Sequence, residues 1–211
     1  MSCLRFTALI LLSVLAVSLA SCETVSTTDY SVEEVIGVVS ADSETFAELY
    51  DKLGMLTVDS IIIPEFDSMR DAIDLFRDSV LNYMSGKSYA KYAGNSVLID
   101  KVAEEYPDID VIEVIPAEEY ESVMYTHFGG SVKITHADGR IFRYLGAADA
   151  YVPVTAPVSG SVDIALTEVL ETENTYRLSF SCSTGEKTKD YFALVVKRED
   201  GSCYFDAVLE K

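Results

Sequence analysis

The 211 residues contain no tryptophan and only two histidines, His127 and His136. A metal site built on several imidazoles is therefore excluded, and histidine-based chemistry has just two residues to draw on. Positive charge is scarce as well. Sixteen Lys and Arg face 35 Asp and Glu, a formal charge of -19. Such a surface repels phosphate backbones, which proteins bind by neutralising them with Lys and Arg, so nucleic acid is not expected as a partner. Cationic ligands and basic proteins are favoured in encounter. There is no phosphate-binding glycine loop, no G-x-S-x-G and no H-E-x-x-H, and no motif asks for a cofactor. Ser88-Tyr89-Ala90-Lys91 fits the S-x-x-K pattern of penicillin-binding enzymes, but the companion S-D-N and K-T-G elements are missing. Glu104, Glu105, Asp108 and Asp110 gather oxygen ligands without the loop glycine and terminal glutamate of an EF-hand, which suits a solvated helix end better than a calcium site.

Long hydrophobic runs are also lacking. The stretch from Phe6 to about Val17 follows Arg5 and stops at Leu19-Ala20-Ser21-Cys22. It is shorter than the roughly 20 apolar residues that cross a bilayer and reads as a secretory signal. Ala20 and Ser21 just before Cys22 resemble the lipobox of bacterial lipoproteins, a resemblance that covers residues 1-22. It implies that residues 1-21 are removed and that Cys22 is acylated through a thioether and becomes the mature N-terminus. The protein would then be extracytoplasmic, its membrane contact made by the Cys22 lipid; two or more acyl chains hold a protein to a bilayer stably. Glu23 after the cysteine leaves the choice between inner and outer membrane open. With Arg5 gone the mature charge is about -20, which keeps the body off anionic headgroups.

Residues 22-31, with Ser26, Thr27, Thr28 and Asp29, read as a flexible tether, and residues 32-211 as a single domain large enough to bury a core. Of four cysteines only Cys182 and Cys203 belong to it. An oxidising compartment invites their pairing. The runs Thr175 to Ser183, Tyr191 to Lys197 and Ser202 to Leu209 nevertheless read as a meander that puts them roughly 20 Å apart, at about 3.3 Å per residue. Both thiols are expected free and buried.

Val32 to Val39 reads as a first strand or a helical turn. Ser43 opens a helix with Phe46, Leu49, Tyr50 and Leu53 at helical spacing, and Gly54 offers a left-handed stop. Thr57 to Ile63 is β-branched and reads as a strand. Asp67 or Ser68 caps a helix to Gly86, in which Met69, Ile73, Phe76, Val80, Tyr83 and Met84 line one face. Tyr89 and Tyr92 follow in a helical connector to Gly94. Asn95 caps a further helix that Pro107 ends, Val111 to Ile115 is a short apolar run, and Pro116 opens a helix to Phe128 before Gly129-Gly130. From there the period alternates. Val132 and Ile134 lead to an Ala137-Asp138-Gly139 hairpin turn, then a strand from Ile141 to Leu145. Pro153 marks Tyr151 to Thr155 as an edge strand or a bulge, and the strand from Val162 kinks near Glu168. Helices followed by hairpin-linked strands indicate an α+β fold, N-terminal helices packed on an antiparallel sheet. Over residues 67-210 the element order looks like the cystatin-like and NTF2-like folds, where the sheet is curved around the helices.

His127 sits where a helix C-terminus favours a cation, and His136 forms an H-x-D with Asp138 whose aspartate is accounted for by the turn. Among the tyrosines gathered where helices meet sheet, Tyr89, Tyr92, Tyr125 and Tyr144, together with His127, are the candidate ligand-contacting residues, because a tyrosine offers an apolar ring and a polar tip. The expected function is a non-catalytic binding module of the cell envelope, with an envelope protein or a cell-wall component as partner. The alternative is an envelope hydrolase. A cleft setting two carboxylates face to face, or holding His127, would point to it.

Overall fold

The computed structural model describes residues 33–57, 63–130, 132–154, 162–185 and 187–211. The leader, Cys22, the tether and most of the strand expected over Thr57 to Ile63 lie outside the described residues. The rest is α+β. Five helices, α1 (Glu44–Leu53), α2 (Met69–Leu75), α3 (Arg77–Ala93), α4 (Ser96–Glu105) and α5 (Ala117–Phe128), precede most of the strands. An antiparallel sheet takes the order β1-β5-β6-β7-β8, from Gly37–Val38, Asp163–Glu171, Thr175–Thr184, Lys187–Lys197 and Cys203–Glu210. A smaller sheet pairs β2 (Ile115–Pro116) and β3 (Phe142–Leu145) on either side of β4 (Ala150–Pro153).

Period-two burial shows which face of the large sheet meets the helices. Leu178, Phe180 and Cys182 of β6, Tyr191, Ala193 and Val195 of β7, and Phe205 and Val208 of β8 are buried, together with Phe76, Val80, Met84, Tyr120, Met124 and Phe128 from the helices. At the centre the rings of Phe66, Phe76 and Phe128 stand 5.2 to 5.6 Å apart, with Phe205 6.2 Å from Phe128. Cys182 and Cys203 are free and buried, facing Lys189 and Lys197 near opposite ends of β7.

The edges of the sheet are tied down locally. β1 starts beside a clamp in which the Glu33 carboxylate accepts from Thr172 Oγ1 and from Asn174 Nδ2 at 2.8 Å, while Arg177 donates to the Glu33 carbonyl at 2.8 Å. On the other side Phe66 exchanges both backbone bonds with Val208, at 3.1 and 2.9 Å. The kink expected near Glu168 is a bulge between Leu166 and Glu168.

Ser43, Ser68 and Asn95 cap their helices, accepting from Phe46, Asp71 and Leu98. Several expectations are corrected. Gly54 is right-handed (φ -56°), and the chain runs on into a 3-10 turn instead of stopping there. The helix expected from Ser68 to Gly86 is two helices broken at Phe76 (φ -109°, ψ 9°), and the second continues to Ala93 with a kink at Ser88. Only Ile115 of the run from Val111 joins a strand. Residues 132–138 form no ladder with β3, because other groups claim the turn. The Asp78 carboxylate at the start of α3 accepts from the backbone amides of Arg140, Ile141 and Phe142 at 2.6, 3.1 and 3.2 Å. Arg77 beside it donates to the carbonyl of Thr135. A Cβ on Gly139 would stand 2.3 Å from Asp78 Oδ1, so the close approach needs glycine. Finally, β4 is the middle strand of its sheet; Pro153 fits because it lies at the last paired position.

Candidate functional site

The titratable side chains gather in two places, and the first is a cleft of about 600 Å³ that runs along one face of α1. Glu44, Glu48, Asp51 and Lys52, spaced so that one helical face presents them all, form one wall. Tyr83 of α3, His127 of α5 and the β7–β8 turn from Gly201 to Cys203 form the others. His127 is placed by the C-terminal turn of α5, which Gly129 and Gly130 end in positive φ (68° and 84°). Arg198 anchors that turn, donating to the carbonyls of Tyr125 (2.7 Å) and Thr126 (3.2 Å).

The groups in this cleft are held in defined protonation states. His127 Nδ1 donates to the carbonyl of Val123 at 2.8 Å, which fixes the tautomer and leaves Nε2 as an acceptor. Burial, aided by the nearby charge of Lys52, pushes its pKa down to about 4, so it is neutral at pH 7 rather than the helix-terminal cation expected. Asp51 accepts from Lys87 and, at 2.9 Å, from the Tyr83 hydroxyl; the Lys87 bond is the largest influence holding its carboxyl below the usual range. Tyr83 is raised to about 12 by burial and then by Asp51. Burial also pushes the Cys203 thiol up.

This histidine gives the fold a pH dependence of known sign. Its folded pKa lies below the unfolded 6.5, so its contribution is present above pH 6.5 and is lost as pH falls towards 4. His127→Gln should remove that slope, gaining about 2 kcal/mol on wild type between pH 7 and pH 5. Buried Glu113, whose single partner at 3.0 Å is Ser85 Oγ, is shifted upward by burial and acts in the opposite sense. The check is accordingly the difference between urea midpoints of the two proteins at each pH. Parallel profiles would refute the assignment.

The second constellation surrounds His136. Its Nε2 donates to Glu121 Oε1 and its Nδ1 accepts from the Tyr151 hydroxyl, each at 3.0 Å, while the Tyr144 ring stacks on it at 4.7 Å. Tyr144 donates to Asp149 at 2.7 Å, and Asp149 takes a positive φ of 50°. Deeper in, the Tyr120 hydroxyl is buried near the Arg77 guanidinium, which works against the upward push of burial on the phenol. Both imidazole nitrogens are occupied and Tyr151 is fully buried, so this cluster braces α5 against β3 and β4. Glu121 reaches the rim of an open hollow that also contains Tyr125, Arg198 and Asp200.

The five candidate residues do not converge. His127 lines the cleft, Tyr125 lines the hollow and donates to the carbonyl of Val132, and Tyr144 stacks on His136. Tyr89 is half exposed on α3, and Tyr92 is buried, donating to Glu119 at 3.0 Å. Asp51 and Lys52 were not singled out by sequence, and Tyr83 and Cys203 stood out only as a helix-face tyrosine and a buried thiol, not as site residues. The acidic spacing of Glu44, Glu48 and Asp51 on the helical face away from Leu49 and Leu53 was the available signal. Among the described residues no group of three or more His, Cys, Asp or Glu is arranged to hold a metal ion. The chain matches no family model, no curated protein and no solved structure.

Proposed function

We propose that this protein is a lipid-anchored binding module of a bacterial cell envelope, carried on Cys22 and capturing a ligand or partner in the His127 cleft without transforming it. The observation that carries the reading is the chemistry of the cleft. Its imidazole is neutral, its thiol and phenol are protonated at pH 7, and its Asp51 carboxylate is tied to Lys87 and Tyr83. The imidazole, thiol, phenol and Asp51 carboxylate donate and accept hydrogen bonds well, yet none of these four is poised near neutral pH as a base or nucleophile. The apolar leader ending in Ala20-Ser21-Cys22 supports the anchor.

Two measurements test this. In cells fed a labelled fatty acid, the wild-type chain should carry label and sediment with membranes, and Cys22→Ala should lose both. A wild-type protein that is unlabelled and soluble would overturn the anchor. For the cleft, native mass spectrometry after incubation with a small-molecule extract of the envelope should show a retained mass that Tyr83→Phe weakens. The presence of His127 in a cleft with three acidic residues favours a second reading, a hydrolase that uses Nε2 as base. Turnover of ester or glycoside substrates, abolished by His127→Gln, would establish that reading and displace the first.

A further inference from the structure

The lysines of this chain differ sharply in their surroundings. Lys87, Lys91, Lys189 and Lys197 each form an ion pair, with Asp51, Glu119, Glu210 and Glu171. Lys211 donates to Ser179, and Lys101, Lys133 and Lys187 stand on exposed positions. Lys52 alone lines the cleft, partly buried, and makes no ion pair with any described carboxylate. The reason is visible in its neighbours. Asp51, adjacent on α1, gives its two oxygens to Tyr83 and Lys87. Glu48, one turn back, is exposed. Arg198, held by its bonds to α5 in the neighbouring hollow, adds positive charge to the surroundings of Lys52.

We propose that Lys52 is the reactive amine of this cleft and that it holds carbonyl-bearing ligands, aldehydes or ketones, as a reversible Schiff base. The inference rests on reading the cleft as a ligand site and names the ligand's chemistry. A lysine that is desolvated and lies next to another cation is the usual form of an imine-forming amine, because more of it is unprotonated at neutral pH. Burial is the largest influence lowering the Lys52 ammonium; Arg198 lowers it further, while Cys203, Glu48 and Asp51 work against both. Glu44, also on α1, Tyr83 of α3 and His127 of α5 complete the titratable lining, and the two rings are uncharged at pH 7.

The step balances without a redox partner. The lone pair of the neutral amine forms the C–N bond while the carbonyl π pair moves to oxygen. Oxygen gains a proton and nitrogen loses one, giving the carbinolamine. The nitrogen lone pair then forms C=N as the hydroxyl leaves with a proton as water. Hydrolysis reverses the sequence and releases the ligand intact, as a capturing protein requires.

The test uses the full chain extracted from membranes, butyraldehyde as probe and cyanoborohydride to reduce any imine to a stable secondary amine, with occupancy at each lysine read by peptide mass spectrometry at pH 7. Lys52 should be alkylated about five-fold or more faster than Lys101 and Lys133. The preference should vanish in urea, and Lys52→Arg should leave the rates at Lys101 and Lys133 unchanged. A Lys52 rate equal to or below that of the exposed lysines overturns the proposal. Retention of an envelope compound sensitive to Tyr83→Phe, alongside an unreactive Lys52, would sink this inference and leave the binding reading standing. A reactive Lys52 with no envelope compound retained would sink the binding reading and with it the ligand role of the amine, leaving only its reactivity established.

Discussion

Replacing Phe76 by alanine is expected to cost about 3–5 kcal/mol, lowering the melting temperature by about 10 °C. The ring is fully buried and touches Phe66 and Phe128, with centroids 5.2 and 5.3 Å away. Its deletion removes apolar area from the middle of the helix-on-sheet core and leaves a void that the two neighbouring rigid rings cannot close. The position carries a second role. Phe76 is the residue at which α2 stops and α3 starts, its amide donating to Ala72 and its carbonyl accepting from Val80, both at 2.9 Å. Phe76→Leu, which keeps most of the volume, should cost only about 1–1.5 kcal/mol. A loss below about 1.5 kcal/mol for the alanine variant, measured by urea unfolding, would mean that the aromatic cluster is not the centre of the core.

Asp78→Ala should cost about 3 kcal/mol. One carboxylate serves three consecutive amides, and two of their residues, Ile141 and Phe142, are buried at 2% and 0% exposure, so water cannot easily replace it. Asp78→Asn keeps one acceptor oxygen but turns an NH2 group towards donors, for a cost of about 2 kcal/mol. The coupling to Gly139 gives a sharper check. Gly139→Ala should destabilise the wild type because its Cβ would meet Asp78 Oδ1 at 2.3 Å, and should cost much less in the Asp78→Ala background. Additive losses would show that the strap is not what holds residues 139–142.

These two residues also mark the limit of what periodicity reveals. Ile73, Phe76 and Val80 follow one another by three and four whether the helix is continuous or broken. A local pattern cannot register a break that tertiary packing imposes. Asp78 reads as an ordinary first-turn acid, since its partners lie 62 to 64 residues away. The same distance effect hid the irregular path of residues 132–138: alternation and an Asp-Gly turn were present, but Arg77 and Asp78 claim the backbone groups that a hairpin would have used. Features dictated by neighbours in sequence were legible. The caps at Ser43, Ser68 and Asn95, the β6–β7–β8 meander and the bulge near Glu168 are all of this kind.

The candidate site divides along the same line. His127 stood out because histidine is scarce, and the end of α5 was marked by two glycines. Lys52, Tyr83 and Cys203 come from three other segments, and nothing in their local sequence announces that α1, α3 and the β7–β8 turn meet at one cleft. Tyr92 is the converse case. It looked like a ligand contact, yet its hydroxyl reaches Glu119 at 3.0 Å from within the core, as an amphipathic side chain at a helix junction often does.

The short bridge between Phe66 and Val208 bears on how copies of this protein behave when crowded. A strand as long as β8 at the margin of a sheet would ordinarily present a ladder on which another chain could build. Here Phe66 fills the rung at Val208 in both directions, and further towards the C-terminal end of β8 the Glu65 side chain accepts from the amide of Glu210 at 2.8 Å. A recruiting strand would have to expel a ring that is itself part of the aromatic core. Edge-to-edge polymerisation through this end of β8 is thus opposed by the same contacts that keep the interior packed, and the protein can be crowded without offering Val208 to Glu210 as a template.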